Sequence, residues 1–123
     1  MNIRFKDTEH EQSFLEFIAS DNVEVNDVER LSLFYLLALN KDTRRSINSL
    51  YNFEGRHIEP EALDRGWQTS SSRKVTKLAF NLFNNFNDRE YDDFSPLELF
   101  STSDALYMSE ALKIRLRDYF GEI

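Results

Sequence analysis

Cysteine is absent from the chain, and its 123 residues include only three glycines and two prolines. The lack of cysteine excludes a disulfide framework, a thiol nucleophile and any thiolate-ligated zinc or iron–sulfur site. All-β sandwiches and doubly wound sheets need many turn residues, so the scarcity of glycine and proline favours helices. The longest apolar run, residues 33–39, is far shorter than the roughly 20 residues of a membrane span. Residues 1–7 resemble no signal peptide, so we expect a cytoplasmic protein.

Signals for catalysis are equally sparse. The three glycines, Gly55, Gly66 and Gly121, stand too far apart to form a dinucleotide-binding or Walker A loop. Only His10 and His57 could act as an imidazole base, and their settings indicate ordinary surface histidines. The two histidines also lack the paired spacing of a helical zinc site. We therefore expect no enzyme activity, no metal and no cofactor.

Apolar residues spaced three and four positions apart predict an all-α fold, a compact single-domain helical bundle over residues 1–123. The second of its helices is apolar nearly all round and is therefore expected at the centre. Polar capping residues place the starts of about five main helices near Thr8, Asn26, Asp42, Ser71 or Ser72, and Ser103.

Shorter elements are predicted between these helices. Pro60 is suited to the first position of one short helix, and Ser95 followed by Pro96 is suited to the start of another. Gly55 is placed to end the third main helix. Alternation at period two predicts a minor two-stranded ribbon near the N-terminus, formed by Ile3 with Phe5 and Val23 with Val25.

The net charge of −7 is distributed as an acidic, a basic and an acidic segment. Residues 7–29 contain eight carboxylates and no lysine or arginine, and residues 88–110 contain seven acids and one arginine. Such a surface attracts basic proteins, although charge runs also serve simply to solvate helix faces. The candidate partner-binding residues are Asp21, Glu24, Asp27, Glu29, Asp88, Glu90, Asp92, Asp93 and Trp67.

The basic middle of the chain, residues 41–77, supports a different hypothesis. Arg44 and Arg45 would lie early in the third helix, where a helix-turn-helix protein contacts the major groove. A similar basic set recurs at Arg73, Lys74 and Lys77. Against direct nucleic-acid binding stands the acidic charge of the whole chain. The alternative is that these bases pair with neighbouring acids and stabilise the fold.

Three stretches resemble a family of short proteins known as a domain of unknown function, found in Gram-positive bacteria and their mobile elements. They are residues 5–11, residues 43–53, and Gly66-Trp67-Gln68-Thr69 followed by residues 78–84. Trp67, the single tryptophan, would be a core or boundary residue or an interface anchor. The resemblance implies a genomic setting and supplies no catalytic motif. By analogy in size and charge, it points to anti-CRISPR inhibitors, which occupy the basic nucleic-acid surfaces of a guide-RNA nuclease.

We therefore expect a non-enzymatic inhibitor from a phage or mobile element that binds a basic protein surface, such as that of a CRISPR effector nuclease. The alternative is a helix-turn-helix-like regulator that reads DNA through the basic middle segment.

Overall fold

A computed structural model of the chain describes residues 2–87 and 92–121. Helices dominate this part of the chain, which confirms the predicted all-α class. The α-helices are α1 (Thr8–Ser20), α2 (Val28–Leu39), α3 (Lys41–Arg45), α4 (Ile47–Leu50), α5 (Ser70–Asn84), α6 (Pro96–Leu99), α7 (Ala105–Arg115) and α8 (Arg117–Phe120). The other elements are a 3-10 helix (Pro60–Asp64) and the strands β1 (Tyr51–Asn52) and β2 (His57–Ile58).

Helix α2 lies at the centre of the fold, as its apolar circumference predicts. All nine residues from Leu31 to Leu39 are buried, and the helix packs against α1, α5 and α7. The buried hydroxyl of Ser32 donates a hydrogen bond to the Glu29 carbonyl, so this polar group is satisfied inside the core. The helix therefore has no solvent-facing side along its second half, and the other elements are arranged around it.

The helices begin at polar capping residues, as predicted, but the capping residue lies one or two positions from the predicted one. Asp7 caps α1 by accepting a hydrogen bond from the His10 amide, so Thr8 is the first helical residue. Asp27 caps α2 in place of the neighbouring Asn26. Thr69 caps α5. Asparagine, aspartate, serine and threonine cap nearly equally well, so local sequence leaves a choice between adjacent candidates.

The last predicted helix is also shifted and divided. Asp104, rather than Ser103, occupies the N-cap position of α7. The helix ends at Arg115, and the short helix α8 follows after the capping residue Leu116. The two short helices predicted from Pro60 and from Ser95 with Pro96 are both confirmed.

The predicted third helix is wrong in its second half. The chain forms two short helices that meet at Ser46, and Tyr51 then enters β1. Gly55 lies in the hairpin turn between β1 and β2, where an added Cβ would come within 2.7 Å of the His57 ring. Arg56 takes the left-handed conformation, with φ of 60°.

The ribbon is therefore at residues 51–58, with Tyr51 opposite Ile58, and the predicted N-terminal ribbon is wrong. The backbone of Arg4, between Ile3 and Phe5, bonds to side chains instead of a strand. Tyr35 Oη donates to the Arg4 carbonyl at 2.6 Å, and the Arg4 amide donates to Glu110 at 3.1 Å. Phe5 packs against the rings of His10, Phe14 and Tyr35. Tertiary packing of Phe5 thus overrides the local period-two pattern.

His10 is fully buried, so its prediction as a surface histidine is wrong. Its Nδ1 accepts a hydrogen bond from the Lys6 amide at 3.1 Å, which places the ring proton on Nε2. Nε2 then donates to the Tyr35 carbonyl at 2.9 Å. Burial lowers the pKa of His10 despite the nearby carboxylates of Asp7 and Asp104. The neutral imidazole therefore joins α1, α2 and the N-terminal segment.

We expect the free energy of unfolding to fall as the pH is lowered from about 7 to about 5. The unfolded state takes up a proton near pH 6.5, whereas folded His10 resists protonation, so acid favours the unfolded state in this window. The slope should be smaller in His10→Gln than in the wild type, because the substitution removes the buried imidazole. Urea denaturation at several pH values measures both slopes. An equal slope in wild type and His10→Gln would contradict this assignment.

Candidate functional site

The carboxylate of Asp21 is at the centre of a buried network rather than at the surface. Asp21 is 5% exposed, and Tyr51 Oη donates to its Oδ2 at 2.8 Å. Arg56 donates to the same carboxylate from Nε and Nη2, each at 3.2 Å. Arg30 Nε lies 3.2 Å from Asp21 Oδ2 and donates to Tyr51 Oη at 3.0 Å. The predicted partner-binding residue Asp21 is thus occupied by internal partners.

This network fixes the end of α1, the first turn of α2 and the ribbon relative to one another. Arg30 also donates from Nη2 to the Arg56 carbonyl and lies over the Phe83 ring at 5.4 Å. Burial raises the pKa of Tyr51, so its hydroxyl stays protonated as a donor to Asp21. The network therefore positions the loop between α1 and α2, where the other acidic candidates lie.

A polar pocket of about 300 Å³ brings three of the predicted acidic residues together. Asp27 caps α2 and pairs with Arg30 Nη1 at 3.3 Å, and Glu29 lies 3.7 Å from Arg115. Glu24 is exposed and has no ion-pair partner in the described part of the chain. The pocket is lined by Asn22, Glu24, Asn26, Asp27, Glu29 and Arg56.

The second acidic segment has a different role where the structure describes it. Asp92 lies 2.8 Å from an Arg73 nitrogen, and Asp93 accepts a hydrogen bond from the Ser95 amide. This hydrogen bond lowers the pKa of Asp93. Asp88 and Glu90 lie outside the described residues. Asp92 thus contacts α5, and Asp93 positions the start of α6.

Four of the five predicted nucleic-acid-binding bases have internal partners. Arg44 donates to the Ala38 carbonyl at 2.8 Å and pairs with Glu9. Arg45 alone of the five is exposed. Arg73 donates hydrogen bonds to the Leu63 carbonyl and to Asp92. Lys74 donates to the Ser101 carbonyl. Lys77 is buried, where its ammonium lies beside Asp92 and donates to the Asp93 carbonyl.

The expected helix-turn-helix geometry is not formed. Its second helix is represented by α3, which has five residues and ends at Ser46. Arg44 folds back onto the end of α2 instead of projecting from a recognition helix. DNA reading by the basic middle segment stays a prediction.

Trp67 is a boundary residue, half-buried against the core. Its Nε1 is shielded from solvent and has no acceptor among the described residues. The following residue, Gln68, donates to the Ala62 carbonyl and accepts from the Ser72 hydroxyl. Trp67 therefore belongs to the junction between the 3-10 helix and α5, and it does not line the polar pocket.

Sequence reasoning missed an apolar groove of about 360 Å³. Phe14 and Ile18 were visible as apolar positions of the first helix, but their neighbours in the groove come from distant parts of the chain. No local pattern links residue 18 with residue 117. The groove is lined by Ile3, Phe14, Ile18, Val25, Leu31 and Arg117.

The described residues contain no group of three histidine, cysteine or acidic side chains arranged to hold a metal ion. Within the same residues, no helix combines the length and apolar character needed to cross a membrane.

The sequence comparison agrees with the resemblance seen in residues 5–11, 43–53, 66–69 and 78–84. The family of unknown function DUF6075 matches residues 1–122. The chain belongs to this family. No curated protein and no solved structure matches it significantly. Its family membership therefore leaves the function to be argued from the charges and surfaces above.

We expect Asp21→Asn to destabilise the protein by about 2–3 kcal/mol, because it leaves two arginines facing a neutral group. This figure is below that of a fully buried pair since both arginines are partly exposed. Glu24→Gln should change the free energy of unfolding by less than about 0.5 kcal/mol. Urea denaturation measures both values. Equal effects of the two substitutions would contradict the structural role of Asp21.

Proposed function

We propose that the protein is a non-enzymatic inhibitor that binds the basic, nucleic-acid-binding surface of another protein through its own acidic surface. The observation that supports this proposal is an asymmetry between acids and bases. Glu11, Glu16 and Glu24 are exposed and have no ion-pair partner in the described residues. The basic candidates are mostly engaged inside the fold, as Arg44 and Lys77 illustrate.

The exposed surface of α1 supplies most of this acidic surface. Its buried side consists of His10, Phe14 and Phe17. Glu9 and Glu16 are exposed on one flank of the helix, and Glu11 is exposed on the other. Glu9 remains 79% exposed although it lies 3.5 Å from Arg44. Carboxylates held on a helix can occupy positions that phosphates occupy in a basic channel.

The proposed mechanism is electrostatic competition with nucleic acid. Exposed charges are screened with a Debye length of about 10 Å at 0.1 M salt, so the inhibition should weaken as salt rises. Association between oppositely charged surfaces is also accelerated at low salt. No reaction chemistry is required of the inhibitor itself.

The proposed target is a guide-RNA nuclease of a CRISPR system, and the proposed origin is a phage or another mobile element. Such a nuclease holds its nucleic acids in positively charged channels, which are complementary to the acidic surface. The small size and the net charge of −7 are properties shared with anti-CRISPR inhibitors.

The test is a DNA-cleavage assay with a purified guide-RNA nuclease, in which the protein is added before or after guide loading. Inhibition in only one order identifies guide loading or target engagement as the blocked step. Cleavage that stays unaffected across several nucleases would contradict the proposed target.

The double variant Glu11→Lys/Glu16→Lys should weaken inhibition by at least about tenfold at low salt, because it reverses charge on both exposed flanks of α1. Its matched control is Glu54→Lys/Glu61→Lys, which makes the same change of net charge on exposed residues of the ribbon turn and the 3-10 helix. Inhibition constants at two salt concentrations are compared, with circular dichroism as a check of folding. Equal loss in both double variants would show that only net charge matters and would refute a role for α1.

A further inference from the structure

Two concavities of opposite character lie on either side of the loop at residues 22–27. The polar pocket includes Glu24 and Asn26, and the apolar groove includes Val25. Glu24, Val25 and Asn26 are consecutive, and neighbouring Cα atoms are only about 3.8 Å apart. The loop therefore forms a ridge that borders both the pocket and the groove. We propose that the ridge is a docking surface for a partner segment in which a lysine or arginine lies close to a bulky apolar side chain. This proposal rests on the proposed function and specifies the chemistry of the partner.

The pocket side is suited to an organic cation. Glu24, Asp27 and Glu29 line it together with two asparagine side chains. The described carboxylates do not converge as a metal site, whereas a volume of about 300 Å³ accommodates the end of a long basic side chain. Arg56 also borders the pocket, but its guanidinium is held by Asp21. Asp27 and Glu29 are likewise paired, with Arg30 and Arg115. The exposed Glu24 is therefore the carboxylate that favours a lysine or arginine from the partner.

The groove side is suited to an aliphatic or aromatic side chain. Phe14, Ile18 and Leu31 contribute apolar surface, and Val25 at the ridge is 84% exposed. Leu15, which precedes Ile18 by one helical turn, is also exposed. Exposed apolar side chains beside a groove are typical of protein-binding sites, where a few buried anchors supply most of the affinity.

The ridge is held in place before any partner binds. Asn22 takes the left-handed conformation, with φ of 51°, and the Val23 amide donates to the Ile18 carbonyl at 2.9 Å. From the other side, Arg117 Nη1 donates to the Val25 carbonyl at 2.8 Å. A fixed loop loses little conformational freedom on binding, which favours affinity.

Charge complementarity favours another protein over a second copy of this chain. Two copies with a net charge of −7 repel each other, whereas a basic partner is attracted to the pocket. A helical segment with apolar residues on one face and basic residues beside them would meet both concavities at once.

The probe is a fluorescein-labelled helical peptide of about twelve residues, composed of leucine and arginine at three- and four-residue spacing. One comparison peptide replaces leucine by serine, and another replaces arginine by glutamate. Fluorescence polarisation at low salt should give at least about tenfold tighter binding for the leucine–arginine peptide than for either comparison. Equal affinity of the leucine–arginine and serine–arginine peptides would overturn the proposal.

Variants at the ridge and matched control variants elsewhere test whether the peptide binds at the ridge. Val25→Ser and Glu24→Lys should each weaken binding about tenfold. Leu97→Ser removes a side chain that is 82% exposed on α6, and Glu54→Lys reverses an exposed charge; both controls should change affinity less than about twofold. Binding that is unchanged by Val25→Ser and Glu24→Lys would overturn the proposal.

Two further outcomes separate this proposal from the proposed function. If Val25→Ser and Glu24→Lys inhibit the nuclease normally while Glu11→Lys/Glu16→Lys fails, the ridge is refuted and the acidic inhibitor remains supported. If wild type inhibits no nuclease yet binds the peptide at the ridge, the docking surface stands and the target is refuted. Self-association that Val25→Ser abolishes, measured by sedimentation velocity, would assign the ridge to a second copy and overturn the choice of a basic partner.

Discussion

Helix α2 sets the main constraint on this structure, because nine consecutive residues of it must be covered on every side. Burial of each leucine or phenylalanine contributes about 2 kcal/mol, so covering this one helix is comparable with the net stability of a small domain, ~5–15 kcal/mol. Helices α1, α5 and α7 supply the cover. Polar residues of the elements around α2 are thereby placed at the periphery or in hydrogen bonds at the ends of α2. Arg44 of α3, for example, donates to the Ala38 carbonyl.

The division of charge follows from this arrangement. Bases near the core find carbonyls and carboxylates as internal partners, as Arg30 does with Asp21 and Asp27. Glu11 and Glu16 of α1 face solvent and have no ion-pair partner in the described residues, and Glu9 stays 79% exposed although it pairs with Arg44. The chain thus combines internally satisfied arginines with exposed glutamates, and this combination links the fold to the proposed recognition of a basic surface.

Local sequence predicted what depends on near neighbours. The apolar circumference of α2, the proline at the start of the 3-10 helix and the Ser95 cap of α6 each act within about one helical turn. His10 and Asp21 were misplaced because their partners lie far along the chain, 25 residues away at Tyr35 and 30 at Tyr51. The ribbon and the apolar groove are likewise products of tertiary packing. A single sequence contains no signal that pairs such distant positions.

The decisive measurement compares binding to a labelled DNA duplex and to immobilised polylysine at about 50 mM salt. Polylysine should bind and should dissociate as salt rises, because the exposed charge is carboxylate. DNA should not bind, since the bases at Arg44, Arg73, Lys74 and Lys77 have internal partners. DNA binding that Arg44→Ala/Arg45→Ala abolishes would contradict the acidic-surface proposal and favour the regulator.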